Sequence, residues 1–114
     1  SAVPQSRADR LIVQTGKGDS VLRLRDIDYL EAARNYIAVH AGGREYTIRD
    51  TMTNVSRRLS GGTFARTHRS FIVNMDKIKE IRTVDTGQRI ILVSGEDVPL
   101  SRSYREEFTR KIGG

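Results

Sequence analysis

Turn signals recur along the chain about every ten residues, and this spacing limits the possible fold more than any other feature. Glycine-containing segments at 16–20, 41–45, 85–88 and 94–97 separate short runs of β-branched and other apolar residues. Glycine accepts the positive φ of tight turns, and runs of this length suit strands better than helices. Residues 20–25, SVLRLR, also alternate apolar and polar side chains, as a half-buried strand does. The pattern predicts about eight short strands, joined largely by hairpins.

Two segments change to a helical period. Apolar residues 52, 55 and 59 fall on one face of a predicted short helix, which Asp50 or Thr51 can cap. Residues 104, 108 and 112 do the same near the C-terminus, where Ser103 and Glu106 match a capping box. Pro99 predicts an edge strand, because proline cannot donate to a ladder. The predicted fold class is mostly β, with short, mainly antiparallel strands, one short mid-chain helix and a C-terminal helix.

The length of 114 residues suits one domain, which we place at residues 11–112. Residues 1–10 are interpreted as a linker or an artificial end, and we expect the natural protein to continue upstream of Ser1. Because the chain has no cysteine, disulfides, thiolate metal sites and thiol catalysis are excluded. The absence of cysteine fits a cytoplasmic protein, and no apolar run is long enough to predict a membrane span.

Catalytic and metal-binding patterns are weak in this sequence. The two histidines, His40 and His68, lie in separate predicted strands without HxH or HExxH spacing. Neither a GxSxG elbow nor a phosphate-binding loop occurs. Glu106 and Glu107 lie on the terminal helix, and Glu106 has a capping role there. We therefore predict no enzymatic activity, no metal and no cofactor.

The charge balance favours a polyanionic partner. Lys and Arg number 20 against 14 Asp and Glu, which gives a net charge of +6. A general solubilising excess of charge would look the same by this measure alone. Arginine and asparagine can pair with base edges, and arginine and serine can hold phosphates. The aromatic residues fall mostly on apolar faces, which favours duplex DNA over single strands. The candidate contact residues are Arg34, Asn35, Tyr36, Arg66, His68, Arg69, Arg102 and Ser103.

Residues 64–78, FARTHRSFIVNMDKI, combine sheet-forming residues with basic ones. We predict that Phe71 and Val73 point into the core of a strand. Arg66, His68 and Arg69 would then project at the mouth of that strand, where a loop is open to solvent or phosphate. Asn74 can cap a single helical turn after the strand.

Four segments in order carry a resemblance to a known family. IDYLEAARNYIAVH, a helix ending in RRL, FARTHRSFIVNMDKI and VPLSRSY together resemble the LytTR family of bacterial DNA-binding domains, over about residues 10–112. The resemblance implies a predominantly β fold of about ten short strands and a role as the output domain of a response regulator. It also implies an upstream receiver or other sensor in the full-length protein. Family members insert loops into successive major grooves, bend the DNA and commonly bind direct repeats near promoters.

The resemblance assigns three contact loops. Asn35 would contact a base from the segment Arg34-Asn35-Tyr36, and Arg69 would do so from His68-Arg69, with His68 steadying the loop or a phosphate. The third loop is 101–103, where many members have a second arginine in place of Ser103, so Arg102 is the alternative contact there. Two other functions remain open, an RNA-binding β module and a protein-interaction module with an acidic partner.

Overall fold

The computed structural model describes residues 10–59 and 61–113. Within these residues the chain forms ten β-strands and two α-helices, with single 3₁₀ turns at 24–26 and 75–77. The predicted linker, 1–10, lies outside the described residues except for Arg10, which begins the first strand. The elements are β1 Arg10–Thr15, β2 Gly18–Arg23, β3 Ile27–Ala32, β4 Ile37–Ala41, β5 Arg44–Ile48, α1 Met52–Arg58, β6 Phe64–His68, β7 Phe71–Asn74, β8 Ile78–Val84, β9 Gly87–Leu92, β10 Asp97–Leu100 and α2 Arg102–Lys111.

The predicted fold class is confirmed, as is the strand count implied by the family resemblance. Turn spacing alone predicted fewer strands, because it treated the segment 64–74 as one strand. That prediction was wrong. The segment is a hairpin of β6 and β7, with Arg69 and Ser70 in its turn. The turn contains no glycine or proline and is closed by side chains, so local composition gives no sign of it.

The strands form two antiparallel sheets. The larger sheet has seven strands in the order β2-β1-β5-β4-β3-β7-β6, and the smaller has three in the order β10-β9-β8. One face of the large sheet packs with α1 in a core that includes Val13, Leu30 and Val55. The other face packs near β3, β6 and β7 with the small sheet and α2, through Tyr29 and Phe108 among others. The predicted edge strand around Pro99 is confirmed, since β10 lies at the margin of the small sheet.

Helix capping agrees with prediction at α1 and differs at α2. Thr51 caps α1 by accepting a hydrogen bond from the Asn54 amide at 3.1 Å. Asp50 accepts bonds from the Asn54 side chain and the Thr51 amide, and these contacts lower the pKa of the Asp50 carboxyl.

At α2 the cap is Ser101, and the predicted capping box beginning at Ser103 was wrong. The Ser101 side chain accepts a bond from the Ser103 amide at 3.3 Å, which places Ser103 inside the first turn. The backbone N–H of Ser101 donates to the carbonyl of Thr67 on β6, and this contact fixes the start of the helix. Of the predicted apolar face, Phe108 is buried, whereas Ile112 is 38% exposed.

Candidate nucleic-acid interface

Three connecting segments meet at one end of the large sheet. They are the β3–β4 loop at 33–36, the β6–β7 turn at 69–70 and the β10–α2 junction at 101–103. The amide of Ala32 donates to the carbonyl of Ser70 at 2.8 Å, which joins the first segment to the second. The amide of Ser101 donates to the carbonyl of Thr67 at 2.7 Å, which joins the third to β6. The structure thus brings the three predicted contact loops side by side.

The β3–β4 loop presents its side chains to solvent. Arg34, Asn35 and Tyr36 are all exposed, and the loop is closed by a bond of 2.8 Å from the Ala33 amide to the Tyr36 carbonyl. This closure involves only main-chain atoms. The guanidinium of Arg34 and the carboxamide of Asn35 are therefore displayed on a turn of defined shape.

The β6–β7 turn is held by its own basic side chains. Nδ1 of His68 accepts a hydrogen bond from the amide of Ser70 at 3.0 Å. Nδ1 is therefore unprotonated in the neutral ring, and the ring proton lies on Nε2, where it can be donated outward. Arg69 is exposed at the tip of the turn. His68 thus orients the turn, and Arg69 extends from it.

Arg66 has a positional role that sequence analysis did not predict. Its Nη2 donates to the carbonyl of Arg69 at 2.6 Å, and its Nε donates to the carbonyl of His68 at 3.3 Å. The same guanidinium lies over the ring of Tyr104 on α2, 5.4 Å from the ring centroid. Arg66 was predicted as a phosphate contact, which stays a prediction. In the structure its guanidinium also ties the second contact segment to the third.

The start of α2 borders a groove against the β8–β9 hairpin. Arg102 and Ser103 are exposed at this position. Arg105, one helical turn on, is half-buried, and among the described residues its Nε has no hydrogen-bond partner. Gln88 and Arg89 on β9 also line this groove, and sequence analysis did not select them. The groove is lined by His68, Gln88, Arg89, Ser101, Arg102 and Arg105, among others.

Four ring side chains pack in a row next to the β6–β7 turn. His68 packs edge-on against Phe71 at 5.7 Å between centroids, and Phe71 lies 6.2 Å from Tyr29. Tyr29 in turn stacks on His40 at 4.2 Å. Burial, with the charges of Glu96 and Glu31, raises the pKa of Tyr29 to about 12. The stacking on Tyr29 gives His40 a packing role. Within residues 10–59 and 61–113, no group of side chains could hold a metal ion.

Arg66 can be tested by a change that keeps its charge. Arg66→Lys is expected to lower the free energy of unfolding by about 1 kcal/mol, because an ammonium cannot reproduce the forked donors or the stacking. Denaturant unfolding measures this loss. Arg102→Lys, at an exposed position, serves as the control and is expected to change stability by less than about 0.5 kcal/mol. Equal stability of the two variants would contradict a positional role for Arg66.

In the described part of the chain, no helix is long and apolar enough to cross a membrane.

The sequence matches the LytTr DNA-binding domain family over residues 18–113. The fold is similar to the solved LytTr DNA-binding domain of a response regulator from Bacillus cereus. That comparison gives a TM-score of 0.84 and 29% identity, covering 93% of this chain and 98% of the other.

Two curated relatives are similar in sequence. The sensory transduction protein LytT of Bacillus subtilis is 29% identical over 104 residues, which cover 90% of this chain and 43% of the relative. The transcriptional regulatory protein BtsR of Escherichia coli is 31% identical over 96 residues, which cover 82% and 38%. The chain thus spans less than half the length of these relatives. By sequence and by fold, the chain belongs to the family of LytTr DNA-binding domains.

Proposed function

We propose that this domain binds double-stranded DNA in a sequence-specific manner and acts, without catalysis, in bacterial transcription regulation. The observation that carries the proposal is the pair of backbone bonds, Ala32 to Ser70 and Ser101 to Thr67, which hold three exposed polar segments together. The net charge of +6 supports a polyanionic partner. Membership of a DNA-binding family and similarity to a transcriptional regulator support it as well.

The proposed contacts divide into base contacts and positioning contacts. The carboxamide of Asn35 can pair with N6 and N7 of adenine, and the guanidinium of Arg69 can pair with O6 and N7 of guanine. Arg102 supplies the third base contact on this scheme. Arg34, Tyr36, the Nε2 proton of His68 and the hydroxyl of Ser103 are suited to phosphate oxygens, which fix the register of the protein on the duplex.

The order of the three segments suggests which grooves of the duplex each segment contacts. The β3–β4 loop and the start of α2 lie on either side of the β6–β7 turn, so their tips can enter successive major grooves rather than one. DNA that bends toward the protein would let all three engage, at a deformation cost that depends on its sequence. We propose direct repeats near promoters as the target, each repeat bound by one copy of the domain. In the full-length protein an upstream receiver or sensor would control this binding.

Removing the Arg69 side chain tests the second loop. Arg69→Ala is expected to weaken binding to the specific duplex by about 1–3 kcal/mol, roughly 5- to 150-fold in Kd, because a bidentate guanine contact is lost. It should weaken binding to unrelated duplexes much less, so specificity falls. Titration of both duplexes at one fixed salt concentration gives the two constants.

Arg44→Ala is the matched control for this experiment. Arg44 begins β5, opposite Ala41, at the end of the sheet away from the three loops. The variant removes the same charge and is expected to change affinity for both duplexes slightly and equally. If Arg69→Ala bound the specific duplex no more weakly than Arg44→Ala, the assignment of Arg69 would be wrong.

Binding experiments with duplex DNA and RNA distinguish the three functions. Incubating the purified domain with a random duplex pool is expected to enrich one motif. An RNA-binding module would instead prefer matched RNA when the two polymers compete. A module for an acidic protein would show no preference among duplexes at moderate salt.

A further inference from the structure

Among the residues that the structure describes, strand β2 is an unpaired edge of the seven-stranded sheet. Asp19, Val21 and Arg23 alternate onto one face of the strand, and all three are exposed. Val21 is 60% exposed and lies directly opposite Ile12 on β1, which is 59% exposed. Two β-branched side chains therefore stand side by side next to an unpaired strand edge.

Within residues 10–59 and 61–113, no other strand pairs with the outer backbone groups of β2. The turn at 16–17 closes on the pair Thr15 and Gly18, and hydrogen-bonded pairs alternate along the hairpin from there. Ser20 and Leu22 thus bond to β1. The N–H and C=O groups of Asp19 and Val21 point away from the sheet, which makes this edge a template for another strand.

The charges along the edge are unbalanced within one molecule. Arg23 lies directly opposite Arg10 on β1, and like charges in that position repel. In the part of the chain that the structure describes, neither Asp19 nor Arg23 takes part in a salt bridge. A partner that brings an acid to Arg23 and a base to Asp19 would correct the imbalance.

We propose that this partner is a second copy of the chain, with the two β2 strands pairing antiparallel about a twofold axis at Val21. In this register Val21 faces Val21 of the other copy, and Asp19 faces Arg23 of the other copy, twice by symmetry. The side chains of Ile12 and Val21 from both copies form one apolar row across the joined sheets. Opposite charges directly across a strand pair then flank the row on both sides.

Other registers lose this complementarity. Moving the axis by one residue places Val21 opposite a charged residue and leaves one of the two charges without a partner. The paired strands are only six residues long, so the contact is small beside the roughly 1,200 Å² of a stable interface. Association of the isolated domain is therefore weak, and it strengthens where neighbouring domains of the full-length protein raise the local concentration.

The proposed contact leaves the DNA-binding loops free. β2 and β6 are the opposite edges of the large sheet, and the turn after β6 belongs to the candidate interface. The twofold axis turns the two candidate interfaces in opposite directions, so a pair of copies would bind two separate duplexes. Copies bound to adjacent direct repeats would not pair in this way, so DNA binding and β2 pairing can fail independently.

Cysteine cross-linking tests the register, because the 114 residues of this domain include no cysteine. The Cα atoms of a hydrogen-bonded antiparallel pair lie about 5.5 Å apart, within reach of a disulfide. Val21→Cys is therefore expected to form a covalent dimer under mild oxidation. Ile12→Cys is almost equally exposed but would lie about 14 Å from its mate, three strand spacings away. Val93→Cys, at a position that is 65% exposed, measures random collision.

The expected rate of dimer formation for Val21→Cys exceeds that of either control by at least about tenfold. Equal rates for Val21→Cys and Val93→Cys would overturn the proposal. Cysteines at positions 19 and 23 extend the test, since Asp19→Cys and Arg23→Cys chains should cross-link with each other in preference to themselves. Preferential self-linking of either variant would contradict the register.

A charge exchange in the Val21→Cys background gives the second test. Asp19→Arg or Arg23→Asp alone places like charges across the axis and is expected to slow cross-linking. The double variant restores opposite charges and should recover the rate, as should an equal mixture of the two single variants. A double variant no faster than the single ones would show that the charges do not face each other.

Discussion

Phe108→Ala is expected to lower the free energy of unfolding by about 3–5 kcal/mol, the loss usual for a large buried aromatic side chain. Phe108 is 1% exposed and is the buried residue of α2 in the core that joins this helix to both sheets. Its removal leaves a cavity beneath the helix that carries Arg102. Urea unfolding followed by circular dichroism measures the change. Phe108→Leu, which fills most of the space, should lose about 1 kcal/mol.

Ile112→Ala is the control for this prediction. Ile112 follows α2 and occupies the predicted apolar face, but it is 38% exposed. Its loss is expected to cost less than about 1 kcal/mol. If Phe108→Ala were no less stable than Ile112→Ala, Phe108 would not be the anchor of the helix. The free energy of DNA binding, measured on the folded fraction, should change less than the free energy of unfolding. The bond from Ser101 to Thr67 still holds the start of the helix in this variant.

Asn74→Ala is expected to cost about 2–3 kcal/mol, since it leaves buried polar groups without partners. Asn74 is fully buried and its Nδ2 donates to the carbonyl of Ile27 at 2.9 Å. Its Oδ1 accepts from the hydroxyl of Thr63 and from the amide of Asp76, each at 3.0 Å. The bond to Ile27 joins the end of β7 to the start of β3. Thermal and denaturant unfolding both report the loss.

Asn54→Ala is the matched control, because it removes the same side chain from an exposed site. The carboxamide of Asn54 donates to Asp50 at 3.0 Å on the surface of α1. We expect this variant to stay within about 0.5 kcal/mol of the natural protein. Asn74→Asp should be at least as damaging as Asn74→Ala, because it buries a negative charge and loses the donor to Ile27. Similar stabilities for Asn74→Ala and Asn54→Ala would contradict the proposed role of Asn74.

Local patterns were sufficient for most elements but not for their ends. Glycine turns and alternation predicted the β1–β2, β4–β5 and β8–β9 hairpins, since glycine permits the turn and alternation follows from the strand itself. The β6–β7 hairpin was missed because its turn depends on Arg66 and His68 donating to and accepting from the backbone. The α2 cap was misplaced for a similar reason. The local capping-box pattern favoured Ser103, whereas the contact of Ser101 with Thr67 sets the helix start two residues earlier.

By itself, the sequence determined the mostly β class, the two helices, the absence of thiol chemistry and the family, because these depend on residue types and their spacing along the chain. Only the tertiary structure decided that residues near 34, 69 and 102 share one end of a sheet, and that Arg66 joins a turn to a helix. It also decided which strands of the described residues lie at the edges of the large sheet. Those features depend on which strands become neighbours, and burial of apolar faces over the whole chain sets that order.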